Sequence, residues 1–122
     1  MKKQENGGLI DPELEAKIES KPLRAPTILA VAAKIQEHEK VPAIEQTLSA
    51  GAAAQMMMVA AHAQGLGAIW RSGSMMFSST MLSGLGLEAS DQLVGFLYIG
   101  TAKVTKPLAE TQIEDFLVRW DG

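Results

Sequence analysis

Hydrophobic and polar positions fall into blocks along the chain, and three of these blocks predict long elements. Thr27–Ala33 is a continuous apolar run, which predicts a strand buried on both faces. Leu93–Gly100 also lacks polar alternation, and it predicts a strand at the centre of its sheet. Between them, a stretch rich in Ala and Met runs from Pro42 to about Gln64, with Gly65 as its C-terminal cap. This stretch predicts one long helix.

The middle of the predicted long helix is almost wholly apolar. Gln55 is the only polar side chain between Ala50 and Ala61. A membrane span needs about 20 apolar residues, so this run is too short and predicts a helix buried on nearly all sides. Because two strong strands do not make a stable isolated sheet, we expect an obligate homodimer with this helix at or near the interface.

The remaining patterns predict shorter elements. Asp11 and Pro12 favour a helix start, and this helix would run to about Ser20 after ten frayed residues. Gly65–Gly73 reads as a glycine-rich connection with a short extended piece in its middle. A short helix over Ser78–Ser83 is predicted to stop at two glycines, Gly84 and Gly86.

The end of the chain has helical spacing. Apolar residues recur at i, i+3, i+4 and i+7, and a capping-box spacing precedes them, which predicts an amphipathic helix; the residues are Thr111, Ile113, Glu114, Phe116, Leu117 and Trp120. Together the elements predict a single α+β domain over residues 1–122, with long helices packed on a small mixed or antiparallel sheet.

Composition narrows the function. The 122 residues carry a net charge of −3 without a Lys/Arg cluster, so neither nucleic acid nor an anionic membrane is expected as a partner. With no cysteine, disulfides and thiolate chemistry are excluded. The two histidines, His38 and His62, are far apart and lack a carboxylate pattern, so no metal site is expected. The charged segment Met1–Asn6 is not followed by an apolar run, which argues against a secretory signal and for a cytoplasmic protein.

Two motif readings fail on their spacing. Gly65 and Gly67 suggest a dinucleotide-binding loop, but Trp70 occupies the third glycine position and the segment follows a helix rather than a strand. The serines around Gly73 do not form the G-x-S-x-G elbow of a serine nucleophile. Neither a Rossmann loop nor a serine hydrolase is therefore predicted.

Several segments, in this order and spacing, resemble one family over about residues 12–120. They are Arg24-Ala25-Pro26, Lys40-Val41-Pro42, Glu45-Gln46, Ser49-Ala50-Gly51, Ala63 to Gly73, Val94 to Thr101 and Asp115 to Trp120. The chain resembles the C-terminal portion of the short, single-domain FMN-dependent NAD(P)H nitroreductases of bacteria. The resemblance implies a nitroreductase-like fold and an intertwined dimer with FMN at its interface. It also leaves open, as the alternative to a C-terminal helix, a tail that runs extended across the partner subunit. NADH or NADPH would reduce the flavin, which would pass hydride or electrons to nitroaromatic or quinone-type acceptors.

The resemblance also assigns residues. Trp70, Arg71 and Ser72 are similar to the FMN-contacting triplet on the turn after Ile69. Ala60, Ala61, His62, Ala63, Gln64 and Gly65 are similar to the segment associated with the nicotinamide nucleotide. No separate catalytic side chain is implied, because hydride transfer belongs to the flavin. Taken alone, Trp70 is also typical of a core anchor, His62 of a hydrogen-bonded structural residue and His38 of a surface residue.

One departure from the family pattern leaves two hypotheses open. Nothing in Met1–Lys21 resembles the Arg-Arg-Ser type motif that grips the flavin ribityl and phosphate groups in the family's N-terminal portion, or the Arg and His that reach the flavin of the other subunit. One hypothesis is an FMN-binding oxidoreductase that receives outside help for the phosphate. The alternative is a truncated, non-catalytic dimerisation module without flavin.

Overall fold

The computed structural model describes residues 25–122, so the predicted helix from Asp11 to Ser20 and the first ten residues lie outside the described part. Within residues 25–122, three strands and two α-helices follow one another. They are β1 (Thr27–Ala33), α1 (Ala43–Ala63), β2 (Gly67–Arg71), α2 (Ser79–Gly84) and β3 (Gln92–Gly100), with short 3-10 turns at Ser74–Phe77 and Ile113–Asp115.

The strands form an antiparallel sheet in the order β1-β3-β2. The last strand in sequence is therefore the central one, as its apolar run predicts. Leu93 and Leu97 of β3 are fully buried, because β3 has a partner strand on both sides and α1 packs across the sheet. Strand β1 occupies the predicted residues, but it is not buried on both faces as predicted. Only Val31 and Ala33 are buried, while Leu29 at the other end is 39% exposed.

Helix α1 agrees closely with its predicted bounds. Pro42 occupies the N-cap, and the helix ends in a Schellman turn in which Gly65 takes a left-handed backbone with φ 77°. Gly65 N–H donates to the His62 carbonyl at 3.0 Å, and Leu66 N–H donates to the Ala61 carbonyl at 2.9 Å. A glycine stands there because a left-handed residue with a Cβ is strained.

The predicted burial of α1 on nearly all sides is wrong for the described chain. Ala54 and Ala61 are its only buried residues among those described, since a single thin sheet covers one face of a helix. The opposite face carries exposed apolar side chains at helical spacing, which we call the outer stripe of α1: Ile44, Leu48, Met56 and Val59.

The short helix α2 follows its prediction, whereas the helix that spacing predicts at the C-terminus does not form. Ser78 caps α2 by accepting a hydrogen bond from Met81 N–H, and Gly86 ends it in a second left-handed turn with φ 72°. Beyond Gly100 the chain contains only the 3-10 turn Ile113–Asp115. Its apolar side chains are exposed, including Phe116 at 79% and Trp120 at 88%. An amphipathic helix needs a surface for its stripe, and the described chain provides none.

Candidate functional site

The residues assigned to the flavin lie at the C-terminal end of β2. Trp70 pairs with Leu97 and Arg71 pairs with Phe96, so both belong to the strand and the loop begins at Ser72. The predicted turn directly after Ile69 is therefore wrong. Because side chains alternate along a strand, Trp70 and Arg71 point to opposite faces of the sheet.

The Trp70 side chain lies against this chain's own core. It packs against the cluster formed by Val31, Ala54 and Leu97 and is half-buried. A Cβ built on Gly51 of α1 would lie 3.9 Å from Trp70 Cη2, which is ordinary contact distance. The indole thus joins β2 to α1, which is the core-anchor role that its sequence also permits.

Arg71, Ser72 and Gly73 lie on the open side of the same strand end. All three are exposed, and Arg71 forms no ion pair with a carboxylate among residues 25–122. Gly73 has φ 157° and ψ 179°, a conformation adopted essentially by glycine alone, and a Cβ there would meet nothing within 4 Å. The loop therefore offers a guanidinium that has no carboxylate partner among residues 25–122, beside backbone that a flat ligand can approach closely.

These residues fit the polar edge of a flavin ring. That edge becomes more negative on reduction, and fixed positive charge and N–H donors stabilise such charge. Arg71 provides a planar fork of donors that suits a polar or anionic edge. Within the described residues, the N–H groups of Ser72 and Gly73 donate to no backbone carbonyl. The first N–H after β2 that does so is that of Met76, which donates to the Gly73 carbonyl at 3.1 Å.

The segment assigned to the nicotinamide nucleotide forms the last turn of α1 and its cap. Of Ala60, Ala61, His62, Ala63, Gln64 and Gly65, only Ala61 is buried. His62 is exposed, which corrects its interpretation as a residue on a buried helix. This segment ends just before β2 begins, whereas Arg71 is the last residue of β2. The first and last residues of β2 are four steps apart, which places them about 14 Å from each other. The structure does not bring the two predicted segments together.

An apolar cavity of about 410 Å³ lies beside α2. The sequence reading missed it, because its walls come from scattered residues without a motif: Phe77, Ser79, Leu82, Ser83, Leu87 and Ala89. Phe77 at its rim is 75% exposed. None of the lining residues in the described part of the chain is titratable, so what these residues offer a ligand is shape and apolar contact.

The sequence reading also missed Asp91. Its side chain is 1% exposed and accepts hydrogen bonds from Lys34 Nζ at 2.8 Å, Glu88 N–H at 2.9 Å and Ile35 N–H at 3.1 Å. The bond from Lys34, helped by the two N–H groups, holds the pKa of Asp91 below its usual 3.8. The same bond raises the pKa of Lys34 above 10.5. A lone Asp in a loop gave no signal, since its partners are brought together only by the sheet.

His38 lies on the surface, as expected, and its Nδ1 accepts hydrogen bonds from Lys40 N–H at 3.1 Å and Val41 N–H at 3.2 Å. Among residues 25–122, no three side chains of His, Asp or Glu stand close enough to hold a metal ion. Within the same part of the chain, no helix has the length and hydropathy to cross a membrane.

Comparison with solved structures defines the class of fold. The nitroreductase-like family protein from Bacillus cereus superposes with a TM-score of 0.73 at 24% identity, covering 93% of this chain and 63% of that protein. A structure described as a "putative nitroreductase in complex with fmn", from Desulfovibrio desulfuricans, superposes with a TM-score of 0.60 at 24% identity over 75% of this chain and 53% of that one. The fold is therefore nitroreductase-like.

Sequence comparison identifies the family. The model of the nitroreductase family matches residues 2–101. "Putative NAD(P)H nitroreductase YdjA" from Escherichia coli K12 is 47% identical over 88 residues, which is 72% of this chain and 48% of that protein. A "Putative NAD(P)H nitroreductase" from Haemophilus influenzae is 38% identical over 79 residues, which is 64% of this chain and 43% of that protein. The chain belongs to the nitroreductase family, and it spans about half the length of these curated relatives.

Proposed function

We propose that this chain contributes to an FMN-dependent NAD(P)H oxidoreductase that reduces nitroaromatic or quinone-type acceptors in the cytoplasm. The observation that carries the proposal is the exposed Arg71, which has no carboxylate partner among residues 25–122 and lies beside the open backbone of Gly73. Further support comes from the family, from the NAD(P)H named for the E. coli relative and from the FMN in the Desulfovibrio neighbour.

In this proposal Trp70, Arg71 and Ser72 form the protein side of the flavin site. When bound, FMN would supply hydride transfer between NADH or NADPH and the acceptor. Arg71 would place a fixed positive charge at the ring's polar edge, and the N–H groups of Ser72 and Gly73 would donate to that edge. Trp70 contributes through its backbone, because its indole is engaged with the core on the other face of the sheet.

The nicotinamide nucleotide is proposed to contact the segment Ala60–Gly65. All of this segment except Ala61 is exposed, and its turn projects from the end of α1. Because it lies at the far end of β2 from Arg71, a nucleotide that touches it must extend along β2 to bring its ring to the flavin.

A homodimer forms part of the same proposal. The outer stripe of α1 and the exposed apolar side chains after Gly100 leave large apolar surface uncovered within the described chain, and such surface marks an interaction site. The small residues Ala52 and Ala53, exposed on α1, allow a second helix to approach closely. Cofactor phosphate contacts would come from residues other than those described here.

A flavin titration tests the proposed site. The full chain is titrated with FMN, and the quenching of flavin fluorescence is followed. We expect saturable binding that Arg71→Ala weakens by about tenfold to a hundredfold, because a hydrogen bond from a charged group contributes about 1.5–3 kcal/mol. Arg119→Ala is the matched control: Arg119 is exposed and paired with Asp121, and its loss should leave binding unchanged.

Two results would count against this assignment. Absence of quenching up to about millimolar FMN, where binding is worth only about 4 kcal/mol, would remove the flavin function of this chain. Equal weakening by Arg71→Ala and Arg119→Ala would show that overall charge, rather than the end of β2, governs binding.

A second candidate function is a non-catalytic dimerisation module without flavin. It is favoured by the inward packing of Trp70, which removes the indole from the exposed strand end, and by the uncovered outer stripe of α1. A chain that dimerises at micromolar concentration and yet leaves FMN fluorescence unquenched would support this candidate over the first.

A further inference from the structure

Gly95 of β3 makes an unusually close approach to the end of β2. A Cβ built on Gly95 would collide with Trp70 Nε1 and would lie 2.8 Å from Trp70 Cδ1. The same Cβ would lie 3.1 Å from the Arg71 carbonyl oxygen. Real Cβ atoms essentially never approach a heavy atom closer than 3.0 Å, so a residue with a side chain cannot stand here unless β2 or the indole shifts.

The indole lies between β3 and α1. A Cβ built on Gly51 of α1 would lie 3.9 Å from Trp70 Cη2, so the ring lies beside the backbone of that helix. Trp70 also packs against the buried core residues Ala54 and Leu97. Two backbones without side chains therefore lie on either side of the indole, and closely packed interiors transmit a displacement rather than absorb it.

The space at Gly95 concerns both of the last two residues of β2. A Cβ on Gly95 would collide with the side chain of Trp70 and would lie 3.1 Å from the carbonyl oxygen of Arg71, the next residue. Within the described residues β2 pairs with β3 alone. In that part of the chain no second strand holds β2 in place if Trp70 is pushed away from β3.

We propose that Gly95 is a positioning residue of the flavin site. By leaving space for Trp70, it sets the place from which Arg71 extends and at which the Ser72–Gly73 loop begins. This inference rests on the proposed function for its link to FMN. Its structural half, the control of Trp70 and Arg71 by Gly95, stands on the geometry alone.

Two other glycines of this chain provide matched controls. A Cβ on Gly100, the last residue of β3, would lie 2.8 Å from Pro26 Cδ and 3.1 Å from Pro26 Cγ. Gly100→Ala therefore crowds the same strand without touching Trp70. A Cβ on Gly84 would meet nothing within 4 Å, so Gly84→Ala measures the effect of the substitution itself.

The experiment compares Gly95→Ala, Gly100→Ala and Gly84→Ala in the full chain. FMN affinity is measured by quenching of flavin fluorescence. In parallel, the emission of Trp70 is recorded without FMN in a Trp120→Phe background, which leaves Trp70 as the only tryptophan. We expect Gly95→Ala to weaken FMN binding about tenfold and to shift Trp70 emission to the red, since overpacking displaces side chains and backbone. Gly100→Ala and Gly84→Ala should leave both readouts within about twofold of the parent.

A rescue variant separates positioning from general destabilisation. Leucine lacks the indole ring and can adopt rotamers that leave room for a Cβ on Gly95. Gly95→Ala combined with Trp70→Leu should therefore bind FMN within about threefold of Trp70→Leu alone. If Gly95→Ala does not fold, this pair decides the question. A double variant that binds clearly worse than Trp70→Leu alone, or that also fails to fold, overturns the inference.

The remaining outcomes are also decisive. Parent-like FMN binding by Gly95→Ala, or equal weakening by Gly100→Ala, overturns the inference while the proposed function stands. If the parent itself binds no FMN, the proposed function fails, and amide hydrogen exchange at Arg71 and Ser72 then decides the positioning. Faster exchange there in Gly95→Ala than in Gly100→Ala supports it, and equal exchange overturns it.

Discussion

Asp91 and Lys34 form a 2.8 Å ion pair across the end of the sheet, and the Asp91 side chain is 1% exposed while that of Lys34 is 59% exposed. The pair ties the residue after β1 to the residue before β3. Two backbone N–H groups, from Ile35 and Glu88, complete the coordination of the carboxylate. A buried carboxylate is tolerated here because both of its oxygens accept hydrogen bonds.

Asp91→Asn should lower the unfolding midpoint, because an amide cannot accept all of these hydrogen bonds. The pKa of Asp91 is lowered on folding, so its contribution to stability is present above its ordinary pKa of 3.8 and is lost as the pH falls below that value. The pKa of Lys34 is raised, so its contribution is present below pH 10.5 and is lost above it. Thermal unfolding of the parent and of Asp91→Asn at several pH values measures this pH-dependent contribution to stability.

The control for this prediction is Asp121→Asn, which removes a carboxylate that is 77% exposed and paired with Arg119. Exposed ion pairs contribute little, so its unfolding midpoint should match that of the parent. The difference in unfolding midpoint between the parent and Asp91→Asn should become smaller below pH 3.8. A difference that stays constant with pH would show that the charge of the carboxylate does not contribute to stability.

Gln46 holds the turn before α1. Its Oε1 accepts a hydrogen bond from Gln36 N–H at 2.9 Å, and its Nε2 donates to the carbonyls of Gln36 at 2.8 Å and Val41 at 3.0 Å. Gln46→Ala should destabilise the protein by about 1–2 kcal/mol, since these are neutral, partly exposed hydrogen bonds. Urea unfolding of Gln46→Ala beside Gln55→Ala, an exposed glutamine of the same helix, measures the difference. Equal stability of the two variants would refute the role of Gln46.

Gly65 ends α1 in a left-handed conformation with φ 77°. Gly65→Ala should cost about 1–2 kcal/mol, because a Cβ in that conformation clashes with the backbone. Gly84→Ala lies in the last turn of α2 with open space around it, and it should be neutral or slightly stabilising, by about 0.5 kcal/mol. Chemical denaturation separates the two; a neutral Gly65→Ala would argue against the Schellman turn.

The outer stripe of α1 should bind a second copy of the chain. Leu48 is 64% exposed and Met56 is 66% exposed, so a charge at either position is harmless to a monomer but is buried in a dimer. Light scattering at micromolar concentration should report a dimer for the parent and a monomer for Leu48→Glu and Met56→Glu. Thr80→Glu, an exposed position on α2, is the control and should remain dimeric. A monodisperse monomer for the parent would contradict the prediction.

The sequence predicted best what local chemistry decides. Pro42 marks the start of α1 because proline presets the first helical turn, and Gly65 marks its end because glycine permits the left-handed cap. The unbroken apolar run of β3 predicted a central strand, and β3 lies between β1 and β2. Local spacing failed at Ile113–Trp120, because an apolar stripe stabilises a helix only against a surface that the described chain does not offer.

The candidate site was only partly readable. The family resemblance assigned the glycine-flanked triplet Trp70–Ser72 to the flavin, and this assignment stays a prediction. The strand extends through Arg71, and alternation turns the indole inward and the guanidinium outward. Asp91 gave no signal at all, since its donors come from residues 34, 35 and 88.

The sequence by itself therefore determined the positions of β1 and β3, the ends of α1, the family resemblance and the segment in which a flavin contact is expected. Tertiary structure alone decided which side chains of that segment remain available, because strand pairing assigns each residue to a face. It also decided that Gly95 must lack a side chain. The indole of Trp70 fills the space beside Gly95, and Trp70 belongs to a different strand, 25 residues earlier in the chain. Contacts between distant residues depend on packing, and no local pattern encodes them.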